Sequence, residues 1–209
     1  LTAIKGAVET LLDGALDQPR FARKFSEVIN RHVIRLEALV MDLLELARLE
    51  GGKVKDSVNI DVKTLCTSAL AAVDHLAAAR RVTLRLELPE NPPAVYGDPR
   101  QLEQALINLL DNAIKFTELG GRVTLKVRSD SETVRLEIND TGVGIAPEHL
   151  PRIFERFYRV DKDRSRLIGG TGLGLSIVKH TAQAHDGRVE VQSRLGQGST
   201  FTLVLPVFS

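Results

Sequence analysis

Between Leu106 and Thr117 the chain reads Leu-Ile-Asn-Leu-Leu-Asp-Asn-Ala-Ile-Lys-Phe-Thr, a spacing that fits a helix buried on one side. Helical geometry puts Leu106, Leu109, Leu110 and Ala113 on one face and Asn108, Asn112 and Lys115 on the other. Two uncharged amides and an ammonium on a polar face offer oxygen ligands to a hard cation and donors to phosphate oxygens. That is the equipment of a Mg-nucleotide site. Downstream lie Asp140-Thr141-Gly142-Val143-Gly144-Ile145 and Gly170-Thr171-Gly172-Leu173-Gly174-Leu175, two glycine clusters that let backbone approach a ligand closely.

The rest of the chain organises around this helix. Leu1, Ile4, Val8, Leu11 and Ala15 recur at helical steps, and the pattern ends near Asp17-Gln18-Pro19. Phe25, Ile29, His32, Leu36, Leu39, Leu43 and Leu46 then alternate in steps of four and three, a heptad stripe. Two helices joined by a short Pro-containing turn predict an antiparallel hairpin over residues 1–50. Its stripe needs a partner, either a second copy in a four-helix bundle or the chain's own second domain. Residues 51–57, with adjacent glycines and several charges, read as a hinge linker. Residues 58–209 then form a second domain.

In that domain a helix is expected over Val62 to Ala79 and a strand over Val82 to Leu88. Asp98-Pro99 caps the long amphipathic helix. Arg122 to Val127 and Thr133 to Asn139 alternate as a strand pair turning at Asp130-Ser131. A helix from about Leu173 to His185 and strands over Arg188 to Ser193 and Thr200 to Pro206 complete the pattern. Helices and strands in separate blocks imply an α+β arrangement, with helices on one face of a mostly antiparallel sheet.

Asp140 ends an alternating strand, so its carboxylate points into space cleared by glycines. A carboxylate only accepts hydrogen bonds, which suits the exocyclic amine of adenine and repels the carbonyl of guanine. An Asp before Gly is equally a common turn cap. No Gly-x4-Gly-Lys-Ser/Thr run is present, and Gly170 to Gly174 lacks the spacing and preceding strand of a dinucleotide fold.

From about Asn59 onward these motifs resemble the ATP-binding domain of the two-component sensor histidine kinases. The Asn108 helix resembles their N box, Asp140 to Ile145 and Gly170 to Gly174 their two glycine boxes, and Ile153-Phe154-Glu155-Arg156-Phe157 their phenylalanine box. Gly196-Gln197-Gly198-Ser199-Thr200-Phe201 resembles their terminal glycine turn. The resemblance implies an α/β sandwich of the GHKL, or Bergerat, type, preceded by half of a dimeric four-helix bundle. It further implies that ATP and Mg2+ bind, with Asn108 on the metal and Asn112 and Lys115 on phosphate oxygens. Phe116 stands beside the nucleotide and Asp140 on adenine; Gly142, Gly144, Ile145, Gly170, Thr171, Gly172, Leu173, Gly174 and Thr200 line the nucleotide.

The polar stretch Tyr158 to Gly169 matches the family's ATP lid, with Arg156 and Arg159 as its phosphate contacts. Asn108, Lys115, Arg156 and Arg159 are thus the expected catalytic set, and the expected activity is transfer of the γ-phosphoryl to a His and thence to a response regulator. A nucleotide-dependent regulatory module is the alternative, and so is a GHKL-type ATPase. The gyrase, Hsp90 and MutL group place a general-base Glu where this chain has Asn108, and an amide cannot take a proton from water near neutral pH.

Among the five histidines, His32, His75, His149, His180 and His185, none matches the family's acceptor pattern on the first bundle helix. The chain opens at what resembles that pattern's Leu, so the acceptor is expected upstream of Leu1. The formal net charge of +1 argues against nucleic acid as a partner. The expected partners are a second copy, through the hairpin, and a response regulator. The lone Cys66 has no internal disulfide partner, and no run reaches the length of a membrane span. A cytoplasmic setting is expected, with any membrane attachment carried by segments outside this sequence.

Overall fold

In the computed structural model, residues 2–50, 57–160 and 170–208 are described. Most of the expected hinge and the lid residues 161–169 lie outside them. Helix α1 (Thr2–Leu12), a 3-10 turn at Ala15–Asp17 and the long helix α2 (Pro19–Glu50) form the hairpin. Pro19 occupies the first position of α2, where its missing N–H removes no helical bond. The heptad stripe of α2 splits between two environments. Leu46 and Leu49 are buried with Leu173 and Ile177 of the second domain, with Leu39 packed beside them. Leu36 and Leu43, each about one turn from Leu39, are 44% and 42% exposed.

The second domain is a two-layer sandwich. Strands β1 (Val58–Ile60) and β3 (Val95–Gly97) pair as a small antiparallel ribbon. The main sheet comprises β2 (Thr83–Glu87), β4 (Arg122–Ser129), β5 (Thr133–Asp140), β6 (Arg188–Arg194) and β7 (Gly198–Pro206), in the order β2-β4-β5-β7-β6. Only β2 and β4 run parallel. Helices α3 (Val62–Ala79), α4 (Pro99–Phe116) and α5 (Gly174–Ala184) cover one face.

Local chemistry sets these boundaries. The Asp61 side chain accepts from Thr64 N at 2.9 Å to cap α3. Asp98 accepts from Arg100 N at 2.9 Å ahead of Pro99 in α4. Leu102, Leu106, Leu109, Leu110 and Ile114 of α4 are fully buried and share one core with Leu125, Leu136, Ile138 and Leu203 of the sheet. Cys66 belongs to the same core, and burial pushes its thiol up to about 12, which leaves it unreactive.

The other face of the sheet carries charges paired across strands. Lys126 meets Glu87 at 2.7 Å, Arg128 meets Glu137 at 3.2 Å, and Arg135 meets Glu190 at 2.6 Å. Asn139 donates to Thr200 Oγ1 at 2.8 Å on the same side. Alternation therefore buries one set of residues and hydrates the next, as one-sided sheets require.

Candidate nucleotide site

Asp140 ends β5 with Ser199 as its cross-strand neighbour. Its Oδ1 accepts from Gly142 N at 2.8 Å and from Ser199 N at 3.3 Å. The carboxyl is buried, and desolvation holds it above the usual carboxylate range against the pull of the Gly142 and Ser199 hydrogen bonds. Glycine is required around it. A Cβ on Gly142 would lie 2.4 Å from Phe116 O, and one on Gly198, whose φ is +90°, would lie 2.0 Å from Asp140 O. The turn-cap and ligand readings of Asp140 are therefore compatible: one oxygen organises the loop, and lone pairs remain for a donor.

The polar face of α4 borders the second glycine cluster. A Cβ on Gly174 would sit 3.7 Å from Asn108 Cγ, so the start of α5 abuts that amide. Asn108 Oδ1 receives a long 3.4 Å contact from Gln104, and its buried Nδ2 has no hydrogen-bond partner among the described residues. A buried amide nitrogen with unused capacity has a hydrogen bond to give to water or a ligand. Lys115 Nζ lies 2.5 Å from Asp111 Oδ2. Its own carbonyl accepts from Arg80 Nη1 at 2.8 Å, which ties the end of α3 to the end of α4. Phe116, 39% exposed, is available for stacking.

The loop before α5 is held from two sides. Gly172 O accepts from Phe157 N at 2.8 Å, and Phe157 itself takes a left-handed φ of 62°. From the hairpin, Asp42 accepts from Thr171 Oγ1 at 2.6 Å, and Arg35 Nη2 approaches Gly170 O at 3.4 Å. Thr171 Oγ1 also accepts from Leu173 N. Arg156 Nη2 lies 3.4 Å from His180 Nε2 of α5, and Arg159 is partly buried nearby in sequence. Gly144, at φ 66°, is pressed against Arg194 O, and Ile145 N donates to Ser193 Oγ at 2.8 Å. The first glycine loop is thereby pinned to the β6–β7 end of the sheet.

One expected site residue lies on the other side of the sheet from Asp140. Thr200 pairs with Asn139 on the hydrated face of the sheet, opposite to the face that carries Asp140. Ser199 occupies the position beside Asp140. Strand parity explains the difference, because Phe201 is buried and residue 199 shares its side of β7. Sequence reading also passed over His185. This buried ring accepts from Asp98 N at 3.0 Å through Nε2, and its Nδ1 lies 2.8 Å from Thr181 O. These partners assign the proton to Nδ1, and the ring joins the end of α5 to the cap of α4.

Among the described residues no group of three His, Cys, Asp or Glu side chains is placed to hold a metal. A divalent ion at this site would combine the Asn108 oxygen with phosphate oxygens and water, a donor set that Mg2+ accepts. No helix of the described residues is long and apolar enough to cross a membrane.

Comparison with known proteins bears on the fold and the family. Residues 97–209 match the family model for histidine kinase-, DNA gyrase B- and HSP90-like ATPases, and residues 1–52 match the His kinase A phosphoacceptor domain. The chain is 41% identical to the sensor-like histidine kinase SenX3 of Mycobacterium tuberculosis over 95% of its length, and 40% identical to the phosphate regulon sensor protein PhoR of Pseudomonas aeruginosa over 97%. It spans about half of each relative, 48% and 46% respectively. Among solved structures, full-length ShkA in complex with AMPPNP superposes with a TM-score of 0.75 at 30% identity, covering 91% of this chain and 40% of that one. The Acinetobacter baumannii histidine kinase AdeS gives 0.77 at 26% identity, covering 100% and 95%. A phosphoacceptor-type hairpin followed by an ATP-binding sandwich, with relatives alike along nearly the whole chain, means that this chain belongs to the sensor histidine kinases.

Proposed function

We propose that this chain is the ATP-binding catalytic portion of a protein-histidine kinase, which transfers the γ-phosphoryl of Mg-ATP to a His on the first helix of a phosphoacceptor bundle. The observation that carries this reading is the buried Asp140 carboxylate in a glycine-lined recess, joined by an Asn108 amide nitrogen that has no hydrogen-bond partner among the described residues. Asp140 accepts the adenine amino group. Asn108 holds the metal, Asn112 and Lys115 meet phosphate oxygens, and Arg156 and Arg159 supply guanidinium donors from the phenylalanine-box side.

When bound, Mg2+ neutralises charge on the phosphates and fixes their orientation. The protein's share is positioning and electrostatics, which dominate phosphoryl transfer. Position 108 offers no carboxylate to deprotonate water, so transfer to a positioned nucleophile is favoured over hydrolysis. The exposed part of the α2 stripe supports a homodimeric bundle. From the phosphorylated His a response regulator receives the group. The chain then works in a cytosolic setting, with any membrane attachment of its parent carried by other segments.

Incubation with γ-labelled Mg-ATP tests the proposal. None of the five histidines should acquire stoichiometric acid-labile label, whereas a separately supplied hairpin bearing the family's His motif should become labelled. Rapid release of free phosphate, with no label on that hairpin, would replace the kinase reading with an ATPase.

A further inference from the structure

Residues 108, 111, 112 and 115 share one face of α4, so Asp111 flanks the polar set proposed to meet the phosphates, one turn from both Asn108 and Lys115. Its neighbours there are amides and an ammonium; Asp111 is the member with the wrong charge for a polyphosphate. It is also engaged. Its Oδ2 lies 2.5 Å from Lys115 Nζ, with the two side chains 31% and 21% exposed, sheltered enough for the pair to escape full screening by water and salt.

We propose that Asp111 is an affinity-limiting residue of the nucleotide site, an internal counter-ion that a nucleotide phosphate must displace from Lys115. The inference rests on the nucleotide-site reading given above. In the empty site the ammonium is neutralised by Asp111. When a phosphate oxygen arrives, Lys115 either leaves Asp111 or is shared with it, and in both cases the carboxylate opposes the incoming charge. Asp111 therefore weakens ATP binding and favours nucleotide exchange, while Asn108, Asn112 and Lys115 supply the attraction.

Calorimetric titration with Mg-ATP, read as Kd, tests this on the whole chain. For a partly exposed ion pair, Asp111→Asn should bind about twofold to fivefold more tightly than the parent. Asp111→Ser should move in the same direction, which separates loss of charge from any new amide contact. In a Lys115→Gln background the gain should shrink, because the charge that Asp111 competes for is gone. Unchanged affinity in both single variants would overturn the inference, and weaker binding would make Asp111 a helper of the cation. Failure of the parent to bind Mg-ATP would overturn the site reading as well, whereas binding that ignores Asp111 would overturn this inference alone.

Discussion

Replacing Asp140 by Asn should separate nucleotide affinity from stability, and the structure sets both signs. The amide oxygen of Asn can still accept from Gly142 N and Ser199 N, the bonds now made by Oδ1. The amide nitrogen then takes the place of Oδ2 and faces the adenine amino group donor to donor. A charge-assisted hydrogen bond of about 1.5–3 kcal/mol is lost, which weakens ATP roughly tenfold to 150-fold. Stability should move the other way or stay level, because the variant no longer buries a carboxylate that desolvation penalises. Calorimetry with Mg-ATP and GTP, together with thermal unfolding in the absence of nucleotide, measures both quantities. ATP affinity within twofold of the parent in a folded variant would refute the adenine assignment. A fall of many degrees in Tm would show instead that the carboxylate is chiefly structural.

Two further outcomes follow from the same region. Gly198→Ala should cost about 2–4 kcal/mol in denaturant unfolding, since a side chain at φ +90° is strained and its Cβ would meet Asp140 O at 2.0 Å. On acidification, ATP affinity should begin to fall above the usual carboxylate range as Asp140 protonates. Over that interval Asp140's own contribution to stability should rise, because the folded chain binds its proton before the unfolded chain does. Both trends should be absent from Asp140→Asn, as pH-dependent calorimetry and melting can determine.

The elements legible in the sequence were those with strong periodicity or explicit stop signals. Asp98-Pro99 announced the start of α4, and the alternation of Val123, Leu125 and Val127 against Val134, Leu136 and Ile138 gave the β4–β5 pair. The three-residue strands β1 and β3 were missed because three residues establish no period, and they exist by pairing with each other. Thr200 was assigned to the site by motif, whereas a one-residue shift in strand parity decides which face a side chain meets. The bond between His185 and Asp98 joins positions 87 apart. No local pattern encodes such a contact. The α2 stripe was read as one seam, yet the leucine cluster with α5 claims its C-terminal end.

The hydrated face of the main sheet leaves practical room. Its cross-strand pairs, Lys126 with Glu87, Arg128 with Glu137 and Arg135 with Glu190, already satisfy one another, and water reaches each of them. Partly exposed pairs of this kind contribute little apiece, so this wall tolerates sequence drift far better than the glycine loops behind it. A fluorophore, an immobilising tether or a reporter cysteine attached at Lys126 or Arg128 would stand across the full thickness of the sheet from Asp140. Binding could then be followed from the side of the molecule that takes no part in it.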